Sequence, residues 1–170
     1  SAYALARDQA ELIRTLAGKA GAPMAELEKK LDALLAHQKE LEKALKAAAQ
    51  REAAGRARDL IARAETVGGT PAILANLGEA DGDTLQAVAD ALKSQFQGVI
   101  VLGGHSAGAV ALIAAVTPQF TAKVQAGKII QTIAPLVGGK GGGRPDNARG
   151  GGKEVGKLDE ALAKARSLLG

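Results

Sequence analysis

The stretch "VIVLGGHSAGAVALIAAV", residues 99–116, admits two readings that lead to different folds. Gly104-His105-Ser106-Ala107-Gly108 fits G-x-S-x-G, the nucleophile elbow in which a strand turns sharply into a helix and lifts a serine onto the sheet. The other reading is a β-hairpin, with "VIVL" as one strand, "AVALIAAV" as its return, and glycines supplying positive φ between them. The segment after Gly108 looks like a returning strand, not a helix. The α/β-hydrolase chain order also needs a histidine after the serine, and the only two histidines, His37 and His105, both precede it. No S-x-x-K pattern surrounds Ser106 to supply a lysine base. A hairpin is therefore predicted, with no catalytic residue; a hydrolase working through Ser106 is the remote alternative.

Outward from this stretch the grammar differs on the two sides. Residues 1–66 read as helical. In "MAELEKKLDALLAHQKELEKALKAAAQ" Leu27, Leu31, Leu34, Leu41 and Leu45 recur at steps of three, four and seven, a heptad seam flanked by Glu and Lys. Gln38 falls on that seam and His37 beside it. Leu5, Leu12 and Leu16 make a second stripe upstream, and Gly21-Ala22-Pro23 breaks the two apart, so an antiparallel, coiled-coil-like hairpin is expected. Residues 67–170 read as a small mixed α/β globular domain. "TPAILANL" is a strand, Asp83 is the expected N-cap of the helix "TLQAVADALKSQF", and Thr117-Pro118 opens a helix that Gly127 and Pro135 interrupt. "KLDEALAKARSLL" is a last amphipathic helix. The order is α+β, with a sheet that is at least partly antiparallel.

Composition narrows the chemistry. The chain has 170 residues, 46 % of them hydrophobic but only 2 % aromatic, so base stacking on aromatic platforms is nearly excluded. It has no cysteine, which rules out disulfides and thiolate zinc sites and agrees with a reducing cytoplasm. No run of about 18 apolar residues suggests a membrane span, and no metal or cofactor is expected. Beginning at Ser1, with no signal-peptide apolar core, the chain reads as a piece of something longer. The net charge of +4 leans toward a polyanionic partner.

The densest signal is "VGGKGGGRPDNARGGG", residues 137–152. So much glycine opposes packing and costs entropy to order, and it makes sense where a backbone must approach something closely. Consecutive bare N–H groups can form an anion-binding nest, with Lys140, Arg144 and Arg149 placing charge around it. Neither a Walker Gly-Lys-Ser/Thr nor G-x-G-x-x-G occurs in this loop. The candidate site is Lys140, Gly141, Gly142, Gly143 and Arg144, supported by Arg149 and Lys153, and its expected ligand is phosphate.

This segment resembles the signature near the end of bacterial alanyl-tRNA synthetases, in the C-terminal C-Ala region that contains the DHHA1 domain. The resemblance extends to "GVIVLGGHSAGAVALIAAVTPQFTAKVQAGKIIQTIAPL" and to the Glu/Lys/Leu heptads. The family often has Met and Gln where Asn147 and Arg149 stand, so Arg149 is an added charge. The resemblance implies a non-catalytic appendage that binds tRNA-Ala at the tRNA elbow and links the aminoacylation and editing domains of its own synthetase. It leaves a homodimer open. It also implies an alternative: the same globular fold recognises nucleotide substrate in DHH-type phosphoesterases. Their Asp-His-His cluster is absent here, as are the His/Cys zinc ligands of an editing domain.

Overall fold

In the computed structural model, which describes residues 2–170, the chain divides into two compact units, residues 1–48 and 49–170. In the first unit, helix α1 (Ala2–Ala20) ends where Gly21 turns to φ +64°. There the Ala22 N–H donates to Ala17 O at 3.1 Å and the Gly21 N–H to Gly18 O at 3.2 Å. This reciprocal pair satisfies carbonyls at the helix end, and a glycine at the left-handed position permits it. Pro23, at φ −59°, opens a single 3₁₀ turn (Met24–Glu26) that runs into helix α2 (Leu27–Ile61). The heptad leucines form an open face where a buried seam was expected: Leu34 is 45 % and Leu41 52 % exposed. Gln38 spends its amide on Glu42, one turn on, at 2.9 Å.

The second compact unit begins inside α2, upstream of residue 67 where the sequence grammar changes. Ala53, Ala57 and Leu60, in the last turns of that helix, are buried in its core. Strands β1 (Glu65–Val67) and β2 (Thr70–Glu79), helix α3 (Gly82–Lys93), and strands β3 (Val99–Ser106) and β4 (Ala109–Val116) follow. Then come α4 (Ala126–Ile133), β5 (Lys140–Gly143), β6 (Asn147–Gly152) and α5 (Leu158–Ser167). They build one six-stranded sheet in the order β1-β2-β3-β4-β6-β5. Only β2 and β3 run parallel, because α3 crosses between them; the other neighbours are antiparallel.

Both faces of the sheet are covered, which explains why β3 and β4 read as nearly continuous apolar runs. On β3 the side chains alternate. Ile100 and Leu102 join Leu85, Val88 and Leu92 of α3 and the end of α2. Val99 and Val101 join Ile130 and Ile133 of α4 and Leu158 of α5. Buried Thr117 clamps the base of the β3–β4 hairpin: the Gly98 N–H donates to its Oγ1 at 2.9 Å, and its own N–H donates to Gly98 O at 3.1 Å.

Three local expectations change. The N-cap of α3 is Asp81, not Asp83; its carboxylate accepts the Thr84 N–H at 2.8 Å, and that bond holds its pKa below the usual aspartate value. The helix expected from Thr117-Pro118 is one 3₁₀ turn (Pro118–Phe120), and α4 starts only at Ala126, with Gly127 inside its first turn. Pro135 opens a separate short turn, Ala134–Val137, which ends at Gly138 with φ +69°. Strand β1 was not expected; at three residues it is too short for an alternation pattern.

Two outcomes follow from this burial map. Leu34→Ala should change stability by less than about 0.5 kcal/mol, whereas Leu102→Ala should cost roughly 2–5 kcal/mol, both read by denaturant unfolding. A chain starting at residue 49 should melt cooperatively. One starting at residue 67 loses the cover of Ala53, Ala57 and Leu60 and should melt at a markedly lower temperature; equal melting temperatures would contradict the division inside α2.

Candidate nucleic-acid interface

The G-x-S-x-G motif is a turn. Ser106 pairs with Ala109, and the two residues between them, Ala107 (φ +50°) and Gly108 (φ +76°), both have positive φ. That is the primed turn whose twist matches a right-handed hairpin. Strand β4 follows where an elbow would need a helix, so nothing lifts Ser106 toward a base.

The glycine segment is also a hairpin. The expected nest is not formed, because Lys140–Gly143 is extended and paired residue for residue with Ala148–Gly151, whereas a nest needs alternating helical dihedrals. The glycines serve a close approach within the protein. A methyl group at Gly141 would lie 2.5 Å from Ile130 Cγ2 and 2.5 Å from Gly150 Cα, and one at Gly150 would lie 2.7 Å from the same Ile130 Cγ2. The two glycines thus make the seat for Ile130 of α4, which is fully buried. The Ala126 N–H donates to Pro145 O at 2.8 Å and fastens the start of α4 to the hairpin turn. Gly142 differs: a methyl there would make only ordinary contact, 3.4 Å from Gln131 Nε2.

β5 is an edge strand. The Arg144 N–H donates to Asn147 O at 2.9 Å, so these two residues form a bonded pair. Antiparallel alternation then directs the backbone groups of Lys140 and Gly142 into the ladder and those of Gly141 and Gly143 away from β6. An edge without side chains at three consecutive positions leaves its amides approachable.

Charge is concentrated at this end of the sheet. Between Ala126 and Lys153 stand five basic residues (Lys128, Lys140, Arg144, Arg149, Lys153) and one acidic, Asp146. That net +4 equals the net charge of the whole chain. The cations do not converge on one point. Lys140 and Lys153 stand at the open end of the hairpin, and neither side chain has a partner among the described residues. Arg144 stands at the turn, four positions or about 13 Å of strand from Lys140, and pairs with Asp146 through Nε at 3.2 Å. With both partners largely exposed, that pair contributes little to stability. Arg149 leaves β6 and donates from Nε to Gln86 Oε1 at 2.9 Å. Lys128, which sequence reading missed, lines a groove of about 200 Å³ with Gln125, Gly127, Gln131, Gly143 and Pro145. Within the helical segment "AGKIIQTI" nothing distinguishes it from an ordinary outward lysine. A line of separated cations along an approachable backbone suits an extended polyanion better than a single phosphate.

Among the described residues, no group of three or more His, Cys, Asp or Glu could hold a metal ion, and no helix is long and apolar enough to cross a membrane.

Residues 69–170 match the DHHA1 domain family, which is well over half of the chain. The chain belongs to that family. It is 39 % identical over 163 residues to an alanine–tRNA ligase of Herpetosiphon aurantiacus, a match covering 95 % of this chain and 18 % of the relative. It is 40 % identical over 169 residues to that of Thiobacillus denitrificans, covering 99 % and 19 %. The chain therefore spans about a fifth of the length of these relatives. Among solved structures, the C-Ala domain from Aquifex aeolicus alanyl-tRNA synthetase is similar at 27 % identity and a TM-score of 0.58, covering 62 % of this chain and 96 % of that one. The α+β architecture and the resemblance drawn from the glycine segment both agree with these relatives.

The glycine seat has a structural test. Gly141→Ala should lower stability by roughly 1–3 kcal/mol by forcing Ile130 off its seat, while Gly142→Ala should be near neutral. Thermal melts of both variants decide it, and equal losses would mean that the seat is not the reason for the glycines.

Proposed function

We propose that this chain is a tRNA-binding part of an alanine–tRNA ligase, engaging tRNA-Ala at its elbow so that the aminoacylation and editing domains act on the same tRNA. Its partners are then tRNA and the remainder of that ligase, in the cytoplasm. The observation that carries this reading is the coincidence of the chain's whole net charge with the glycine hairpin and the start of α4. Similarity to alanine–tRNA ligases over 95–99 % of the chain supplies the polyanion. Lys140, Arg144, Arg149 and Lys153 contact phosphates, with the edge of Gly141–Gly143 admitting close approach of the RNA backbone and Lys128 as a further cation. Such contacts position the RNA without reading bases, in keeping with a chain nearly devoid of aromatics.

Filter binding of tRNA-Ala across a salt series tests this. Lys140→Ala and Arg144→Ala should each weaken binding at every salt concentration. Each should also reduce the slope of log K against log salt by about one unit, as one fewer counterion is released. A tRNA lacking its elbow should bind less tightly than intact tRNA-Ala. Unchanged affinity for both variants would remove the hairpin from the interface.

A further inference from the structure

Arg149 differs from the other cations in how it is held. On β6, Ala148 packs into the core beneath α4, so by strand alternation Arg149 projects on the opposite face, the one covered by α3. Its Nε donates to Gln86 Oε1 at 2.9 Å. The Gln86 Nε2 in turn donates to Asp90 Oδ1, one helical turn along α3, at 2.8 Å. The direction of this relay is chemically forced. A guanidinium only donates and a carboxylate only accepts, so the amide oxygen of Gln86 must face Arg149 and its nitrogen must face Asp90. Lys93 Nζ, 3.8 Å from Asp90, offsets the carboxylate charge nearby.

An arginine has five N–H donors, and the relay occupies one of them. The four on the two terminal nitrogens have no partner among the described residues, and the side chain is exposed. Held by Nε, the guanidinium presents its end-on pair outward, a fork that matches two oxygens of one phosphate. Lys140 and Lys153, by contrast, offer unanchored point charges.

We propose that Gln86 is a positioning residue for RNA recognition. Through the Asp90–Gln86–Arg149 relay it fixes the guanidinium so that Arg149 grips one phosphodiester end-on, and the RNA contact extends from the glycine hairpin toward α3. This rests on the RNA-binding reading above. The ligand is an RNA backbone phosphate; no base is read.

The test is a double-mutant cycle on tRNA-Ala binding with the full 170-residue chain, each variant also melted. Gln86→Leu removes the acceptor without changing charge. It should weaken binding roughly three- to tenfold with an unchanged salt slope. Gln86→Ala, which retains high helix propensity, provides the same test if the leucine variant melts early. Arg149→Lys keeps the charge but cannot be forked or anchored through Nε. In that background Gln86→Leu should have no further effect, which a merely structural role in α3 would not produce. Arg149→Ala should flatten the salt slope by about one unit. If Gln86→Leu is silent, or costs as much in the Arg149→Lys background as with Arg149 in place, the positioning role is overturned while a loss from Lys140→Ala leaves the RNA-binding reading standing. If Lys140→Ala and Arg144→Ala are silent too, that reading falls with it.

Discussion

The contact between Ile130 and the two glycines beneath it organises the unit of residues 49–170 at its charged end. One methyl of a buried isoleucine occupies the space where Gly141 and Gly150 have no side chains. Because α4 sits that low, its first turn reaches the hairpin bend and bonds to Pro145. At Gly141–Gly143 the outer strand then has no side chains with which to cover its backbone. Close packing inside and an approachable backbone outside are two effects of the same residues. Interiors pack at near-crystalline density, so the seat cannot be loosened without moving α4.

Two kinds of cation surround this strand, and their anchoring separates them. Lys140 and Lys153 supply field, acting at a distance and fading with salt. Arg149 is tied to a helix that is itself packed into the core through Leu85, Val88 and Leu92, so its orientation derives from the fold. A polyanion meeting both kinds is attracted by the first and aligned by the second. On the proposed tRNA-binding reading such a division is useful, since a long nucleic acid must be held in register as well as attracted.

Much of this was legible in the sequence. The β3–β4 hairpin followed from "VIVL" and "AVALIAAV" because both strands are buried on two faces and need unbroken apolar runs. The terminal helices followed from their leucine spacing. Other parts were hidden for physical reasons. "KGGG" carries no propensity for a strand, since its pairing comes from α4 above it, which no local pattern reports. The heptads suggested a buried seam, but periodicity records only that apolar residues share a face, not that anything covers it. Asp81 and Asp83 are equivalent as capping residues until the backbone direction before α3 is known. The basic residues were visible as charges, but the difference between Arg149 and Lys140 depends on Gln86, 63 positions away in the chain.

A strand made almost wholly of glycine also carries a consequence for the order in which the molecule opens. Glycine loses more backbone freedom on folding than any other residue, and β5 recovers none of it through side chains of its own. Its ladder is one-sided, and its cover is a helix of eight residues. The outer strand of the β5–β6 hairpin is therefore less costly to release than the central strands β3 and β4. Amide hydrogens there should exchange through local opening well before those of β3 and β4, whose release requires the whole core to open. The surface proposed to meet RNA is thus also one that can change its shape more cheaply than the centre of the sheet.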